Sequence, residues 1–338
     1  MKSSRNSLLL FAGWSLLLTL LFAANIFWGS VPIPASAVVD VLMGAGGENA
    51  AWEAIVLQTR LPQAVTALLA GMALSASGLL LQTLFNNPLA GPEVLGINSG
   101  AGLGVSVVML VLQGVASVGG YAALLAGAFV GACVIIGLVL LLSRMLQNNI
   151  FLLIAGLAVG YLASSVITLL NFFSTAEGVQ SFFVWGMGSF GGVSLEMLPF
   201  YSALLLAFLA GALLLVKPLN ILLLGDMYAR NLGVNTKRVR TLLLLVVGAL
   251  IATVTAFCGP VAFVGLAVPH LARLAIATAD HRVLLPVTML LGGSVTLLCN
   301  LVCQLPGDSG LLPLGAITPV IGTPVIIYVV LKDRFKGE

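Results

Sequence analysis

The sequence predicts an all-α polytopic membrane protein, a single domain over residues 1–338 with about ten transmembrane helices. Of its 338 residues, 60% are hydrophobic and only 7% are charged. Soluble domains are about one quarter charged, so 14 basic and 11 acidic side chains cannot cover a water-facing surface of this size. The uncharged run 94–143 exceeds the roughly 20 residues that one membrane helix needs. A soluble enzyme and a nucleic-acid-binding protein are therefore excluded.

Glycine, proline and asparagine divide the apolar sequence into helix-length pieces. The runs are continuous and do not alternate with a period of two, which argues against the strands of a membrane barrel. The eighth piece is short and contains Pro269, so we expect that it does not cross the membrane alone. The predicted helices are 8–28, 62–84, 96–112, 119–143, 151–173, 197–216, 240–258, 262–273, 283–305 and 313–331.

The basic residues predict an orientation with both termini in the cytoplasm. If ten helices alternate from a cytoplasmic N-terminus, Arg60 is the only basic residue outside, and the other Lys and Arg lie inside, as the positive-inside rule requires. The first helix is longer than the apolar part of a signal peptide, so we expect it to remain uncleaved. The inside residues are Lys2, Arg5, Arg144, Lys217, Arg230, Lys237, Arg238, Arg240, Arg273, Arg282, Lys332, Arg334 and Lys336.

Several kinds of machinery are missing from the sequence. Every charged residue lies at or near a predicted helix end, which leaves no mid-membrane group for proton or sodium coupling. No Gly-Lys-Ser/Thr occurs, so the chain has no Walker A site for ATP, and HExxH and GxSxG are absent too. The four cysteines and two histidines are interpreted as structural, without a metal site. The chain is therefore expected to transport something with energy supplied by another subunit.

The small polar residues leave two interpretations open. The many glycines, such as Gly71, Gly78 and Gly104, are explained by close contacts between helices in lipid. Four polar residues could either hydrogen-bond neighbouring helices or line a transport pathway, and the sequence does not decide between the two. They are Asn98, Ser99, Thr168 and Asn171.

The longest predicted inner loop, 217–235, is too apolar for a solvated loop and too often interrupted for a membrane span. Asp226 can cap a short helix over 227–232, and Gly233 can end that helix in the left-handed conformation. Such a helix is either a docking surface for a cytoplasmic partner or an interfacial helix lying on lipid.

A second informative segment surrounds the predicted second helix. Pro62 suits the first turn of a helix, and Arg60 just before it is expected to stand at the outer surface. Asn86-Asn87-Pro88 is expected to end the helix at the inner surface, because a residue before proline is pushed out of the α region.

These segments resemble the FecCD family of ABC importer permeases, which carry iron–siderophores, haem or vitamin B12. The resemblance covers nearly the whole chain and implies a type II ABC importer permease fold with ten helices. The matching stretches are 60–102 (RLPQAVTALLAGMALSASGLLLQTLFNNPLAGPEVLGINSGAG), 224–240 (LGDMYARNLGVNTKRVR), 259–274 (GPVAFVGLAVPHLARL), 280–286 (DHRVLLP) and 312–332 (LPLGAITPVIGTPVIIYVVLK).

The resemblance also implies the partners of the chain. Two copies pair as a homodimer around a central pathway in the lipid bilayer of the bacterial inner membrane. Two cytoplasmic ATPase subunits bind ATP and Mg and dock beneath, and a periplasmic substrate-binding protein delivers a metal chelate from above. The permease itself then binds no cofactor, metal or nucleic acid and is not an enzyme. A secondary transporter or channel without an ATPase is the alternative.

Site residues follow from the same resemblance. Arg60 matches an outer-surface arginine that contacts the binding protein, in which case Arg60→Glu weakens that contact and leaves folding intact. Gln63 and Gln304 stand where the vitamin B12 permease has arginine, which weakens that substrate assignment. Within the coupling segment 217–240, the implied ATPase-coupling residues are Gly225, Asp226, Met227, Tyr228, Ala229, Arg230, Leu232 and Gly233. The implied cytoplasmic gate residues are Asn86, Asn87, Pro88, Leu89, Asn148, Asn149 and Ile150.

Overall fold

The structure, a computed structural model, describes residues 2–44, 49–111, 120–146, 148–305 and 310–334, and no strand occurs among them. Short π-helical turns follow α3 and α5, and short 3-10 turns precede α5 and α9. The α-helices are α1 (Lys2–Phe27), α2 (Ala35–Leu42), α3 (Ala50–Ala54), α4 (Leu61–Phe85), α5 (Ile97–Ser106), α6 (Gly120–Met145), α7 (Asn149–Phe172), α8 (Ala176–Gly186), α9 (Leu198–Leu214), α10 (Val216–Leu222), α11 (Asp226–Asn231), α12 (Thr236–Cys258), α13 (Val264–Ile276), α14 (His281–Cys303) and α15 (Leu314–Arg334).

The described residues contain ten apolar helical segments, in agreement with the predicted number. Five are long enough to cross a membrane: the continuous segment Ala50–Phe85 and the helices α6, α7, α12 and α14. A sixth is the pair α9 and α10, bent by 46°. The four shorter ones are Phe11–Phe27, Ile97–Val111, Val264–Ile276 and Leu314–Val329.

The second predicted helix does not begin at Pro62. It continues upstream through a π-helical turn, Ile55–Arg60, into α3. Proline lacks an N–H and its ring collides with the carbonyl four residues earlier, so a regular α-helix could not run through Pro62 undisturbed. The wider π turn just before Pro62 accommodates it, because such turns relax the hydrogen-bond spacing.

The sixth predicted helix also continues further than expected. The inner loop was predicted to begin at residue 217, but residues 217–222 belong to α10, which starts directly after the bend at Leu215. Pro218 explains the bend, because it cannot donate a hydrogen bond to the Leu214 carbonyl and its ring displaces that carbonyl. After the bend, α10 stays packed against α4 and α14, with Val216 and Leu219 buried.

Helix α4 lies at the centre of the bundle, packed against α9, α12, α13 and α14. Two glycines allow these contacts: a methyl group at Gly71 would overlap the Gly292 carbonyl, and one at Gly78 would overlap the Gly265 carbonyl. In contrast, most of α6 and α7 faces outward. The sequence-based interpretation of these glycines as close helix contacts is therefore correct.

Two helices were not predicted, and one short helix behaves as expected. Helix α2 lies between the predicted segments 8–28 and 62–84. Helix α8 lies between the predicted segments 151–173 and 197–216. Helix α13 has 13 residues and contains Pro269. At 1.5 Å per residue it is roughly 20 Å long, shorter than the roughly 30 Å core of a bilayer. It does not span alone.

Candidate functional site

Residues 226–231 of the predicted coupling segment form a short helix, α11, with a well-defined end. Helix α11 starts at Asp226 and is flanked by Gly225, whose φ is 96°, so Asp226 is its first residue and not the cap that we expected. At the other end, Gly233 has φ 81° and donates to the Arg230 carbonyl, while Val234 donates to the Ala229 carbonyl. This pair of bonds is a Schellman motif, and it confirms that Gly233 ends the helix in the left-handed conformation.

One side of the coupling segment is apolar and open. Met227, Tyr228 and Leu232 are 79%, 68% and 62% exposed. Ala229, in contrast, is fully buried against the rest of the chain, so the helix is anchored on one side. Arg230 is exposed and its Nε lies 3.4 Å from Thr236 Oγ1 at the start of α12.

The first predicted gate segment follows α4. The helix ends at Phe85 because Asn86 adopts the left-handed conformation, with φ 45°. The residue that ends the helix, Asn86, lies one position before Asn87, the residue that the rule for residues preceding proline would indicate. Asn87 accepts a hydrogen bond from the backbone N–H of Leu89 (2.9 Å), which folds the chain into a turn. Leu89 is 54% exposed.

The second predicted gate segment contacts the end of α4, directly before the first gate segment. Asn148 caps α7 by accepting a hydrogen bond from the backbone N–H of Ile150 at 2.8 Å. The side chain of Asn149 donates to the Leu84 carbonyl, with an N–O distance of 2.9 Å. Ile150 is 65% exposed. The two segments that lie far apart in sequence are therefore held together at one end of the bundle.

A buried histidine links the coupling segment to α4, and sequence reasoning missed this role. His281 Nδ1 lies 2.9 Å from Asn220 Oδ1 on α10, and its Nε2 lies 2.8 Å from Thr83 Oγ1 on α4. Thr83 is three residues before Asn86. His270 makes a similar contact, with its Nε2 2.8 Å from the Pro88 carbonyl oxygen. The sequence indicated structural histidines but gave no sign of their partners.

A cavity of about 430 Å³ lies between the coupling segment and the gate segments. Asn86 and Asn149 line it from the gate, and Gly225 and Arg230 line it from the coupling segment. Any movement of the coupling segment relative to the gate segments therefore changes the volume of this cavity.

At the opposite end of the bundle, Arg60 is buried, and the expectation that it stands exposed at the surface is wrong. Its side chain is only 3% exposed. The guanidinium donates to the carbonyls of Ile26 (3.0 Å), Phe27 (3.1 Å) and Val31. Ile26 and Phe27 are at the C-terminal end of α1, where carbonyls have no partner within the helix. A cation is favoured there, so Arg60 caps α1.

Gln63 and Gln304 lie beside each other near this end. Gln63 donates to Asn300 Oδ1 at 3.0 Å, and Asn300 donates to Asn25 Oδ1 at 2.7 Å. Gln304 Nε2 lies 3.5 Å from Gln63 Oε1. These side chains bind α1, α4 and α14 together. The amide side chains at these positions carry no charge and hydrogen-bond to one another.

The four polar residues whose role was open divide into two pairs. Asn98 accepts a hydrogen bond from Thr255 at 2.8 Å, and Ser99 accepts one from Ser164 at 3.3 Å, so both connect helices. Thr168 is exposed, and Asn171 is half-buried beside a cavity of about 270 Å³ between α7 and α8. The Oδ1 atom of Asn171 has no hydrogen-bond partner among the described residues.

The exposed side of α7 carries a group of hydroxyl-bearing side chains. Tyr161, Ser164, Ser165 and Thr168 are all exposed and follow the i, i+3, i+4, i+7 spacing of one helix face. Tyr161 is 73% exposed. Sequence reasoning singled out only Thr168 of these, although the spacing could have revealed the set.

Within the described residues, no group of three or more His, Cys, Asp or Glu side chains could hold a metal ion. Known proteins with similar sequences are transport proteins. The chain is 38% identical over 289 residues to the vitamin B12 import system permease protein BtuC of Klebsiella pneumoniae subsp. pneumoniae, covering 86% of each chain. It is 38% identical over 285 residues to BtuC of Escherichia coli O9:H4, covering 83% of this chain and 85% of that one.

A solved structure has the same fold. It shows a metal-chelate type ABC transporter in an inward-facing conformation, with a TM-score of 0.84 and 29% identity, and the alignment covers 95% of this chain and 98% of the other. The model of the FecCD transport family matches residues 17–332. The chain belongs to the FecCD transport family and is a membrane-spanning permease of an ABC importer.

Proposed function

We propose that this chain moves a metal chelate across the bacterial inner membrane, as a homodimer driven by two cytoplasmic ATPase subunits and supplied by a periplasmic binding protein. The observation that carries the mechanism is the hydrogen-bonded path Asn220–His281–Thr83, which joins the coupling segment to the gate helix α4. The substrate class is supported by the relatives named as vitamin B12 permeases and by the metal-chelate type transporter.

The coupling segment has the properties that a docking element needs. Met227, Tyr228 and Leu232 offer apolar surface to a groove on an ATPase, whereas the buried Ala229 and the capped end keep the helix rigid. Movement of the ATPase then reaches α10 and passes through His281 to α4. A frayed helix would absorb the movement.

The gate is proposed to form where the two copies meet. Leu89 and Ile150 are exposed apolar side chains on segments joined by the Asn149–Leu84 hydrogen bond. Paired with the same residues of the second copy, they would close the pathway with apolar contacts. The hydroxyl-bearing face of α7 is proposed to line the pathway above this gate, since weak polar contacts suit a chelate that must be released.

Orientation and outer contacts complete the proposal. Both termini are assigned to the cytoplasm, because Arg144, Arg230, Lys237 and Arg240 lie around one cavity at the coupling end, as the positive-inside rule requires. The end containing Arg60 is assigned to the binding protein. Because Arg60 is buried, we propose that it shapes this surface from inside and does not itself form an exposed ion pair.

The test is reconstitution of the permease in proteoliposomes with its ATPase and binding protein. We expect ATP-dependent uptake of a metal chelate, assayed with cyanocobalamin and with a ferric siderophore as separate probes. The double variant Met227→Ala/Tyr228→Ala should lose ATPase association and uptake. Met145→Ala is the matched control, because Met145 is 72% exposed but lies outside the coupling segment.

Two results would contradict this proposal. Uptake that needs no ATPase would favour the secondary transporter or channel. Wild-type uptake and ATPase association by the double variant would show that the coupling helix lies on lipid, the other interpretation that its sequence allowed.

A further inference from the structure

The cavity at the coupling end is strongly basic. Arg144, Arg230, Lys237 and Arg240 line it, and no acidic side chain is among its described lining residues. Four like charges around one space of about 430 Å³ give it a positive potential that favours an anion. Arg240 is half-buried and donates to the Leu146 carbonyl at 3.3 Å, so at least one of these cations is fixed in place.

The remaining lining suits a phosphate group with an apolar attachment. Ser143 and Thr241 add hydroxyl groups, which donate to the Leu140 and Lys237 carbonyls of their own helices and would have to rotate to donate to a phosphate oxygen. Leu222 and Leu223 line another part of the same cavity. The space is built by the C-terminal ends of α4, α6 and α10, the starts of α7 and α12, and residues of α11, so it lies at one end of the membrane helices.

Helix α6 leads from the cavity into the outward-facing apolar surface. Val130, Val134 and Leu141 are 64%, 63% and 55% exposed, and they share one face of the helix at spacings of four and seven residues. Arg144, three residues after Leu141, ends this stripe and is also a lining residue of the cavity. A molecule with its anionic head at Arg144 could therefore lay an acyl chain along α6.

We propose that this cavity binds the phosphate headgroup of an anionic phospholipid from the inner leaflet. Basic pockets between membrane helices on the cytoplasmic side are known to take such headgroups. Free phosphate shares the headgroup chemistry, but only a lipid also uses the apolar stripe on α6. The bound headgroup would bridge Arg230 of α11 to Arg144 of α6 and Arg240 of α12. The binding itself does not depend on the proposed transport function.

The experiment counts the lipids retained by the full-length permease in native mass spectrometry. The protein is released from nanodiscs that contain phosphatidylglycerol and phosphatidylcholine with the same acyl chains. The cavity variant is Arg144→Gln/Lys237→Gln. The matched control is Arg238→Gln/Arg282→Gln, which removes the same charge from exposed residues at the same end that do not line the cavity.

We expect wild-type protein to retain phosphatidylglycerol in preference to phosphatidylcholine. Each basic residue at a membrane surface strengthens anionic lipid binding by about fivefold, so the cavity variant should lose about 25-fold in apparent affinity. The control should stay closer to wild type than the cavity variant, because its residues do not line the cavity and add only to the general surface potential, which salt screens. All four substituted residues are exposed, so folding should be preserved, which thermal unfolding checks.

Three results would overturn the proposal. Equal retention of phosphatidylglycerol by the two double variants would show that the cavity is not the site. Displacement of the lipid by millimolar inorganic phosphate would assign the cavity to free phosphate. Loss of ATPase association by the cavity variant, with lipid retention unchanged, would assign the basic residues to the ATPase.

Discussion

Arg60 is the residue whose position separates a structural role from a docking role most sharply. Its guanidinium satisfies three backbone carbonyls, of Ile26, Phe27 and Val31, where α1 ends and the chain turns. The turn is also tight around it, since a methyl group at Gly29 would lie 2.8 Å from Arg60 Nε. We expect Arg60→Met to destabilise the protein, because methionine fills similar space but donates no hydrogen bond.

The magnitude follows from the three contacts. Hydrogen bonds from a charged donor are worth roughly 1.5–3 kcal/mol each. The sum overstates the loss, because carbonyls near the membrane surface regain water and the guanidinium no longer has to be desolvated. We therefore expect a net loss of about 3 kcal/mol in the free energy of unfolding. For a large chain this corresponds to a fall in Tm on the order of 5 °C.

The assay is thermal unfolding of the purified permease in detergent, followed by binding-protein association at low salt. Arg60→Lys should be intermediate, because an ammonium group keeps the charge at the helix end but not the fork of the guanidinium. Arg238→Met is the control, since Arg238 is exposed. Wild-type stability of Arg60→Met together with weakened binding-protein association would refute the capping role and restore the direct contact that the sequence suggested.

Three further predictions concern other contacts. Gly78→Val should lower the free energy of unfolding by roughly 3 kcal/mol or more, because it forces α4 away from α13. Gly137→Val should not, because nothing lies within 4 Å of a methyl group there. Equal thermal stability of the two variants would contradict the close contact between α4 and α13. Gly233→Val should strain the left-handed end of α11 by about 1 kcal/mol or more and lower the uptake per ATP hydrolysed in proteoliposomes. Gly13→Val serves as the control. An unchanged ratio of uptake to ATP hydrolysis in Gly233→Val would show that α11 has no role in coupling. The pKa of Asp280 lies below its usual value of about 4, because the carboxylate accepts the backbone N–H of Arg282 and the amide of Asn220. A carboxyl group with a lowered pKa stabilises the folded state at pH values above its unfolded-state pKa, and this stabilisation is lost as the pH falls through its folded-state pKa. Asp280→Asn should therefore make Tm fall less steeply below pH about 4. A fall in Tm as steep as that of the wild type would contradict this prediction.

The sequence alone determined the fold class, the number of apolar segments and the family. These depend on composition and on local patterns, since a bilayer requires long uncharged helices wherever the chain crosses it. A local rule also placed the end of α11 at Gly233, because caps depend on residues within a few positions. The gate residues were inferred by resemblance, and the structure places Asn149 of one gate segment against the Leu84 carbonyl, two residues before the other.

The tertiary structure decided what each polar side chain does. The sequence placed Arg60 at a surface, but its partners lie 29 to 34 residues away, at the end of a helix whose carbonyls only folding brings near. His281 likewise joins Asn220 to Thr83 across three helices. The basic cavity combines Arg144 with residues of α12 nearly a hundred positions later. A side chain's partner is set by which distant segment fills the space beside it, and no local pattern contains that information.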